Sequence, residues 1–288
     1  MAKTAEEALQ KFLSKSTGTL PSLPKIATEV IALSRDSEAT LGALVKLIEQ
    51  DAGIASRILR VSNSALYGFP SAVQSLAHAV TLLGSQTVRN LALAMSMKGT
   101  YKRFGLMEKL LWEHSALAGP ITVAVSTFAG SSLNSDDAFT AGLIHDIGKT
   151  ALANSHREKY EKVIARVYNE SISFVVAETE FFGFDHSLLG AEVAKRWGLP
   201  TVLSDIIRYH HRIDELETMS EEFGQFVAIV GLSTAVLTKL GVGRREPAVD
   251  LDLTSHPAWL YLELEKTREP DLLELCAGRL EEAKSLVE

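Results

Sequence analysis

Five of the eight histidines in this 288-residue chain stand where helical spacing turns them toward apolar faces. His114 follows Leu110 and Leu111 at intervals of four and three, so it shares their stripe. His145 follows Ala141 and Gly142 in the same way, and His186 opens a stripe continued by Leu189, Gly190 and Val193. His210 follows Ile206 and Ile207, while His211 lies one turn after Ile207. A single inward imidazole is ordinarily a core residue bonded to a neighbour. Five from four helices pose a larger problem. Each ring carries two nitrogens, and burying one without a partner costs about 1–3 kcal/mol. One shared metal ion would satisfy many of them together, and neutral imidazole suits Zn, Fe, Mn or Ni.

Asp146 supplies a carboxylate directly after His145. Successive helical positions differ by about 100°, so the pair can straddle the floor of a cleft. The two oxygens of one carboxylate can bridge two ions, an arrangement suited to in-line attack on phosphate esters. Lys149 lies one turn after His145, where its ammonium can meet a phosphoryl oxygen. Gly142 and Gly148 keep that wall thin. His78, His156 and His256 show no such organisation. His156 and His256 are expected at the surface, and His78 is unconnected to the cluster.

These side chains must be carried by helices. The pattern predicts helices over 4–16, from Pro21 and Pro24 through Ser34, over Leu41–Gln50, and on through Asn63. Further helices are expected over Val73–Leu83 and Val88–Met97, and over 106–128 a longer helix or a pair, kinked by Pro120. Four more follow at 137–153, 157–180, 186–197 and 200–211, then an apolar helix Phe223–Leu240 and two acidic amphipathic ones before Glu288. Ser16-Thr17-Gly18-Thr19-Leu20-Pro21 is a breaker, and Gly68-Phe69-Pro70 a turn. Asn63-Ser64 is expected to end a helix and cap the next segment by side-chain hydrogen bonds. No β pattern stands out against the three-to-four spacing.

Composition narrows the class. Apolar residues at 46% with only 7% aromatics suit helix-on-helix cores. A net charge of −7 argues against a general nucleic-acid binder, which needs a basic surface to displace counterions. Arg57, Arg60, Arg89, Lys98, Lys102 and Arg103 read as a solvated helix face rather than a nucleotide patch. Trp112, Trp197 and Trp259 read as core aromatics with one polar edge. Cys276 is the sole cysteine, which excludes an intrachain disulfide and reads as a small hydrophobic residue. No apolar run reaches the ~18 residues of a membrane span, and Met1–Lys15 lacks a signal-peptide core. A cytoplasmic location is expected, with no membrane partner.

The segment Gly142-Leu143-Ile144-His145-Asp146-Ile147-Gly148-Lys149 resembles the HD superfamily of metal-dependent phosphohydrolases. The wider chain resembles one branch of it, the HDOD domain, over about residues 20–215. Leu20-Pro21-Ser22-Leu23-Pro24 is similar to that domain's opening, and Gln50-Asp51 through Ile58-Leu59-Arg60-Val61-Ser62-Asn63-Ser64-Ala65-Leu66-Tyr67-Gly68 to its most recognisable stretch. Ala79-Val80-Thr81-Leu82-Leu83-Gly84 with Val88-Arg89, and Trp112-Glu113-His114-Ser115, agree in order. The resemblance implies an all-α fold with an N-terminal helical bundle (20–104) and an HD-like bundle (105–215). Residues 1–19 would precede the domain, and 216–288 complete or flank it.

It also implies bacterial signal transduction, with signalling proteins as partners, a nucleotide ligand or a homodimer as further options, and one or two divalent ions as cofactor. By the resemblance, His114, His145 and Asp146 would form a first metal set. His186, His210 and His211 would hold a second ion alongside Asp146, with Lys149 as the active-site lysine. Two features depart from the HD enzymes. Thr234 aligns with their closing aspartate, and no Asp or Glu occurs between Glu222 and Glu246. Arg212-Ile213-Asp214-Glu215 stands where HD-GYP proteins carry Gly-Tyr-Pro. The expectation is therefore a regulatory module with a degenerate metal cleft. The alternative is a dinuclear phosphodiesterase acting on a nucleotide or cyclic dinucleotide, with a di-iron oxygenase as a third reading.

Overall fold

The computed structural model describes residues 2–16, 20–36, 38–63, 69, 71–170, 172–244 and 246–287. Among them every regular element is a helix. The first six are α1 (Ala2–Lys15), α2 (Lys25–Arg35), α3 (Leu41–Ile48), α4 (Ala52–Ser62), α5 (Leu76–Leu83) and α6 (Ser85–Met97). Side chains at their starts explain several boundaries. Thr40 accepts from the Ala43 N–H, Asp51 from Gly53 and Ile54, and Ser75 from His78, each satisfying amides that a helix leaves free. Asn63 does what the sequence led us to expect and more. Its Oδ1 accepts from the Val73 N–H at 2.8 Å and its Nδ2 donates to the Val73 carbonyl at 2.9 Å, pinning the chain ten residues on. Ser64, Gly68 and Pro70 of the expected turn, and the centre of the breaker (17–19) lie outside the described residues.

A long helix follows, α7 (Leu106–Phe128), continuous through Pro120. Next come α8 (Ser135–Ile144), α9 (Ile147–Ser155), α10 (Arg157–Glu170), α11 (Phe174–Phe182), α12 (His186–Arg196) and α13 (Thr201–Tyr209). The C-terminal third holds α14 (Glu221–Lys239), the short α15 (Pro257–Tyr261) and α16 (Glu269–Val287). Two expected helices are in fact pairs. The one expected over 137–153 breaks at His145–Asp146, because Asp146 leaves helical geometry at φ −97°, ψ 13° and the His145 ring takes the Gly142 carbonyl at 2.6 Å. The one expected over 157–180 ends at Glu170 and restarts after Ser173, whose hydroxyl accepts from the Val176 N–H.

Buried apolar side chains form two clusters. One runs from α1–α6 into α9–α12, with Leu9, Ile48, Ile58, Leu152 and Leu189 all fully buried. The other gathers α7, α8 and α13 around α14, which is buried on nearly every face from Phe226 to Leu237. Cys276 and Trp259 belong to this second cluster, and Trp259 donates its ring N–H to the Leu264 carbonyl. The site lies where the two clusters meet. No described helix is long and apolar enough to cross a membrane.

Candidate metal centre

The break between α8 and α9 puts Asp146 at the centre of four imidazoles. Its Oδ2 is 3.3 Å from His145 Nε2 and 3.5 Å from His114 Nε2. Its Oδ1 is 3.1 Å from His186 Nε2 and 3.8 Å from His210 Nε2. One carboxylate oxygen therefore faces each histidine pair. Ligand atoms of His114, His145 and Asp146 all lie within 4.8 Å of one another, as do those of Asp146, His186, His210 and His211. All six expected ligands converge.

The opposite ring nitrogens explain the aim. Nδ1 of His145 meets the Gly142 carbonyl at 2.6 Å, that of His210 the Ile207 carbonyl at 2.7 Å, and that of His114 the Val242 carbonyl at 3.3 Å. An acceptor on Nδ1 fixes the proton there and leaves Nε2 as a lone-pair donor, the arrangement metal-binding histidines adopt. His211 stands exposed at the rim, with its Nε2 3.0 Å from His186 Nε2. Two imidazole nitrogens that close must share either a proton or an ion.

The α9–α12 contact sets the spacing between the pairs. Gly148 packs directly on the His186 backbone, where a Cβ would overlap the His186 carbonyl oxygen and sit 2.9 Å from the Gly190 nitrogen. Asp185 caps α12 by accepting from the Ser187 and Leu188 amides, which orients His186 as its first residue. Beyond it stands a residue that sequence reading passed over. Glu178, fully buried on α11, accepts from the His186 backbone N–H at 2.7 Å, its Nδ1 at 2.6 Å and the Tyr160 hydroxyl at 2.8 Å. An acid directly after the apolar run Phe174-Val175-Val176-Ala177, on its buried side, was the available signal. Gly183, at φ 82°, ends α11 in the left-handed conformation that returns the chain from Glu178 to His186.

Charge at the centre follows from these contacts. Burial opposes ionisation of Asp146, but His145, Lys149 and His186 outweigh it and hold its carboxyl well below the usual range. Burial lowers His114 to about 3 and His210 to about 4, so both rings are neutral at physiological pH. For His186 burial also works against the charge, yet Glu178 and Asp146 prevail and push it up to about 9. The Lys149 ammonium donates to Asp146 Oδ2 at 2.6 Å and lies 4.3 Å from the centre of the Phe174 ring.

His114, His145, Asp146, Lys149 and His211 line a cavity of about 300 Å³ whose remaining walls are largely apolar. Thr234 also lines it, with its hydroxyl donating to the Gly231 carbonyl at 2.7 Å. His256, expected at the surface, is half-buried on the same cavity and caps α15. Its position depends on the loop after α14, which helical periodicity does not describe. His156 is exposed, packed on Phe12 and Phe182, and half-buried His78 lies on α5, away from the centre. Two of the basic residues are engaged elsewhere: Arg89 pairs with Asp136, and Lys98 lies over the Phe104 and Trp112 rings.

Residues 20–213 match the sequence profile of the family described as HDOD domain. An uncharacterized protein of Treponema pallidum (strain Nichols) is 23% identical over 235 residues, 82% of this chain and 45% of that protein. The chain thus spans about half the length of this curated relative. Among solved structures, an HDOD domain protein of unknown function from Geobacter sulfurreducens superposes with a TM-score of 0.78 at 24% identity, covering 97% of this chain and 98% of the other. A candidate phosphohydrolase from Shewanella amazonensis SB2B superposes with a TM-score of 0.71 at 21% identity, over 97% and 98% of the two chains. Identities this low establish the shared fold alone.

Proposed function

The chain belongs to the HDOD family, and from that premise we propose that it is a signal-transduction module whose histidine–aspartate cleft holds one or two divalent ions. The observation that carries this reading is the aim of the rings. His114, His145, His186 and His210 all turn Nε2 toward Asp146 and engage Nδ1 elsewhere. The fit to an ion is supported by two buried atoms without a hydrogen-bond partner, Asp146 Oδ1 and His210 Nε2, which lie 3.8 Å apart. Unpartnered buried polar atoms are costly unless something else satisfies them. Nitrogen and oxygen donors in this mixture suit Fe, Mn, Zn or Ni. His114, His145 and Asp146 would hold one ion, and Asp146, His186, His210 and His211 a second.

When bound, such an ion supplies Lewis-acid polarisation of an anion in the cavity. The chain's own residues do the rest. Lys149 places a positive charge on the cavity wall, Phe174 covers it, and the apolar lining thins the water around it. The ligands come from α7, the α8–α9 break, α12 and the end of α13, so loading ties four elements together. Emptying the cleft would relax their packing, which gives the fold a way to present different surfaces to protein partners. Thr234 supports this regulatory role over catalysis, because its neutral hydroxyl occupies the cavity where a second carboxylate would complete a hydrolytic centre.

The alternative, a phosphodiesterase acting on a nucleotide or cyclic dinucleotide, is favoured by one feature, the Lys149 ammonium on the cavity wall. Metal analysis of the purified full chain, with an assay on an aryl phosphodiester under added Mn or Fe, separates the two. The regulatory reading expects bound metal, lost in Asp146→Asn, and negligible turnover. Turnover that Asp146→Asn abolishes would give priority to the enzyme. Absence of metal after reconstitution would remove both. Cytoplasmic signalling proteins, met as a monomer or a homodimer, are the partners this reading calls for.

A further inference from the structure

A second cavity, of about 400 Å³, opens between α4, α6, α7, α8 and α16. It shares no lining residue with the metal cleft. Its walls are mainly apolar, with Val61, Leu91, Val123, Phe139 and Leu275 contributed by five different helices. Into this lining α6 sends two carboxamides, Gln86 and Asn90, four residues apart and so on one face of the helix. Neither makes a side-chain hydrogen bond to another described residue. The lining's charges cancel, because Arg279 at the rim donates to Glu282 at 2.7 Å. Beside it, the Arg89–Asp136 ion pair joins α6 to α8 at 2.7 Å yet leaves Arg89 Nε and Asp136 Oδ1 buried without partners.

These features select a ligand chemistry. With one arginine and one glutamate paired at the rim, the lining carries no net charge to favour an anion. With two carboxamides open, Asn90 half-buried and Gln86 exposed at the mouth, a purely apolar ligand would cover Asn90 without pairing it, at a cost of about 1–3 kcal/mol for each group left unpaired. What remains is a neutral molecule with apolar faces and an edge carrying both donors and acceptors. Asn and Gln side chains pair bidentately with the adenine edge on these grounds, and the volume lies within the range of small-molecule pockets. We infer that this cavity binds a purine nucleoside, with Gln86 and Asn90 reading the edge of the base and Phe139 and Leu91 covering its faces.

The site is placed to be felt at the metal cleft. Ser135 and Phe139 line it from α8, and the same helix ends at Ile144, immediately before His145 and Asp146. Phe139 also fills the space beside Gly119 on α7, where a Cβ would come within 2.9 Å of its ring. Part of the wall is α16, which lies beyond the stretch matched to the family.

The test is calorimetric titration of the metal-stripped full chain with adenosine and guanosine, with ribose, inorganic phosphate and indole as controls. Saturable binding of a purine nucleoside, weakened at least tenfold in the Gln86→Leu, Asn90→Leu double variant, is the expected result. Gln86 is exposed and Asn90 half-buried, so the variant should keep its fold, checked by its unfolding midpoint. Ala283→Phe, which fills the cavity from α16, should remove binding as well. Binding of neither nucleoside, equal binding by the double variant, or indole binding as tightly as the purines would each overturn the assignment. Stripping the metal first keeps the outcome separate from the metal-cleft reading.

Discussion

Nδ1 of His186 lies 2.6 Å from Oε2 of Glu178, and both side chains are fully buried. The far side of the same ring faces Asp146 Oδ1 at 3.1 Å. The imidazole is thus held between two carboxylates, one to orient it and one to share whatever it binds. Glu178→Gln keeps the shape but removes the charge, so the ring loses its strongest acceptor and becomes a weaker donor at Nε2. Metal affinity should fall by about 10–100-fold, the usual effect of removing such a partner. Competition against a chelator measures it. Glu178→Ala is harsher, stranding three donors in the core at about 1–3 kcal/mol each, and should lower the unfolding midpoint even without metal.

Metal uptake should release protons unequally from the two histidine sets. His114 and His210 are held neutral by burial, while Glu178 and Asp146 keep His186 protonated up to about pH 9. An ion binding Nε2 of His186 at neutral pH must displace that proton. Calorimetry in buffers of different ionisation heat should show about one proton released for this site. The sign for apoprotein stability follows. The folded pKa exceeds the unfolded value of about 6.5, so the contribution is fully present below that value and is lost as pH rises through about 9. An apoprotein that gained stability across this window would refute the assignment.

Gly148→Ala should be among the most damaging single substitutions in the chain. The new methyl would meet backbone rather than a movable side chain, the His186 carbonyl and the Gly190 nitrogen. The helices α9 and α12 would have to part, at a cost of about 3 kcal/mol or more. Metal loading should be lost together with thermal stability. If Gly148→Ala melts like the native chain and binds metal normally, the close approach of α9 and α12 does not position the two histidine pairs.

Most helices were legible in the sequence, and so were the five histidines that gather around Asp146, because a histidine on an apolar stripe is a local pattern. The break at His145–Asp146 was not. Helical spacing runs unbroken through it, and the break comes from a side chain taking the Gly142 carbonyl and from the fit of Gly148 on α12, which is a tertiary fact. Glu178 was missed for a related reason. Its partners, His186 and Tyr160, lie eight and eighteen residues away, beyond the reach of any pattern within α11. His256 reaches the cavity through a loop whose path depends on packing against α14.

Cys276 should resist thiol reagents until the chain unfolds. It is fully buried in the cluster around α14, and burial pushes its thiol up to about 12. Thiolate is the reactive form, so at neutral pH both exposure and ionisation are withheld. Labelling by an aromatic disulfide in native buffer should be slow and should track global unfolding as denaturant is added. Rapid reaction in the native state would place α16 in a looser association with α7 than the buried thiol implies.

Thr234→Asp tests whether the cleft is regulatory by lack of one charge. Thr234 lines the cavity with His114, His145 and Asp146 and offers only a hydroxyl already donating to Gly231. A carboxylate there would add an anionic oxygen ligand to the His114–His145 set. Without an ion it would instead face Asp146 as a like charge in a buried cleft, which is destabilising. The two states should therefore move in opposite directions. Chelation should lower the unfolding midpoint further in Thr234→Asp than in the native chain, and each tenfold gain in affinity should add about 1.4 kcal/mol of stability at saturating metal. Turnover of an aryl phosphodiester should appear in the variant alone, since Lys149 already stands on the cavity wall. A variant that melts at the same temperature with and without metal would mean that position 234 does not face the ion, and the reason offered for a non-catalytic cleft would fall.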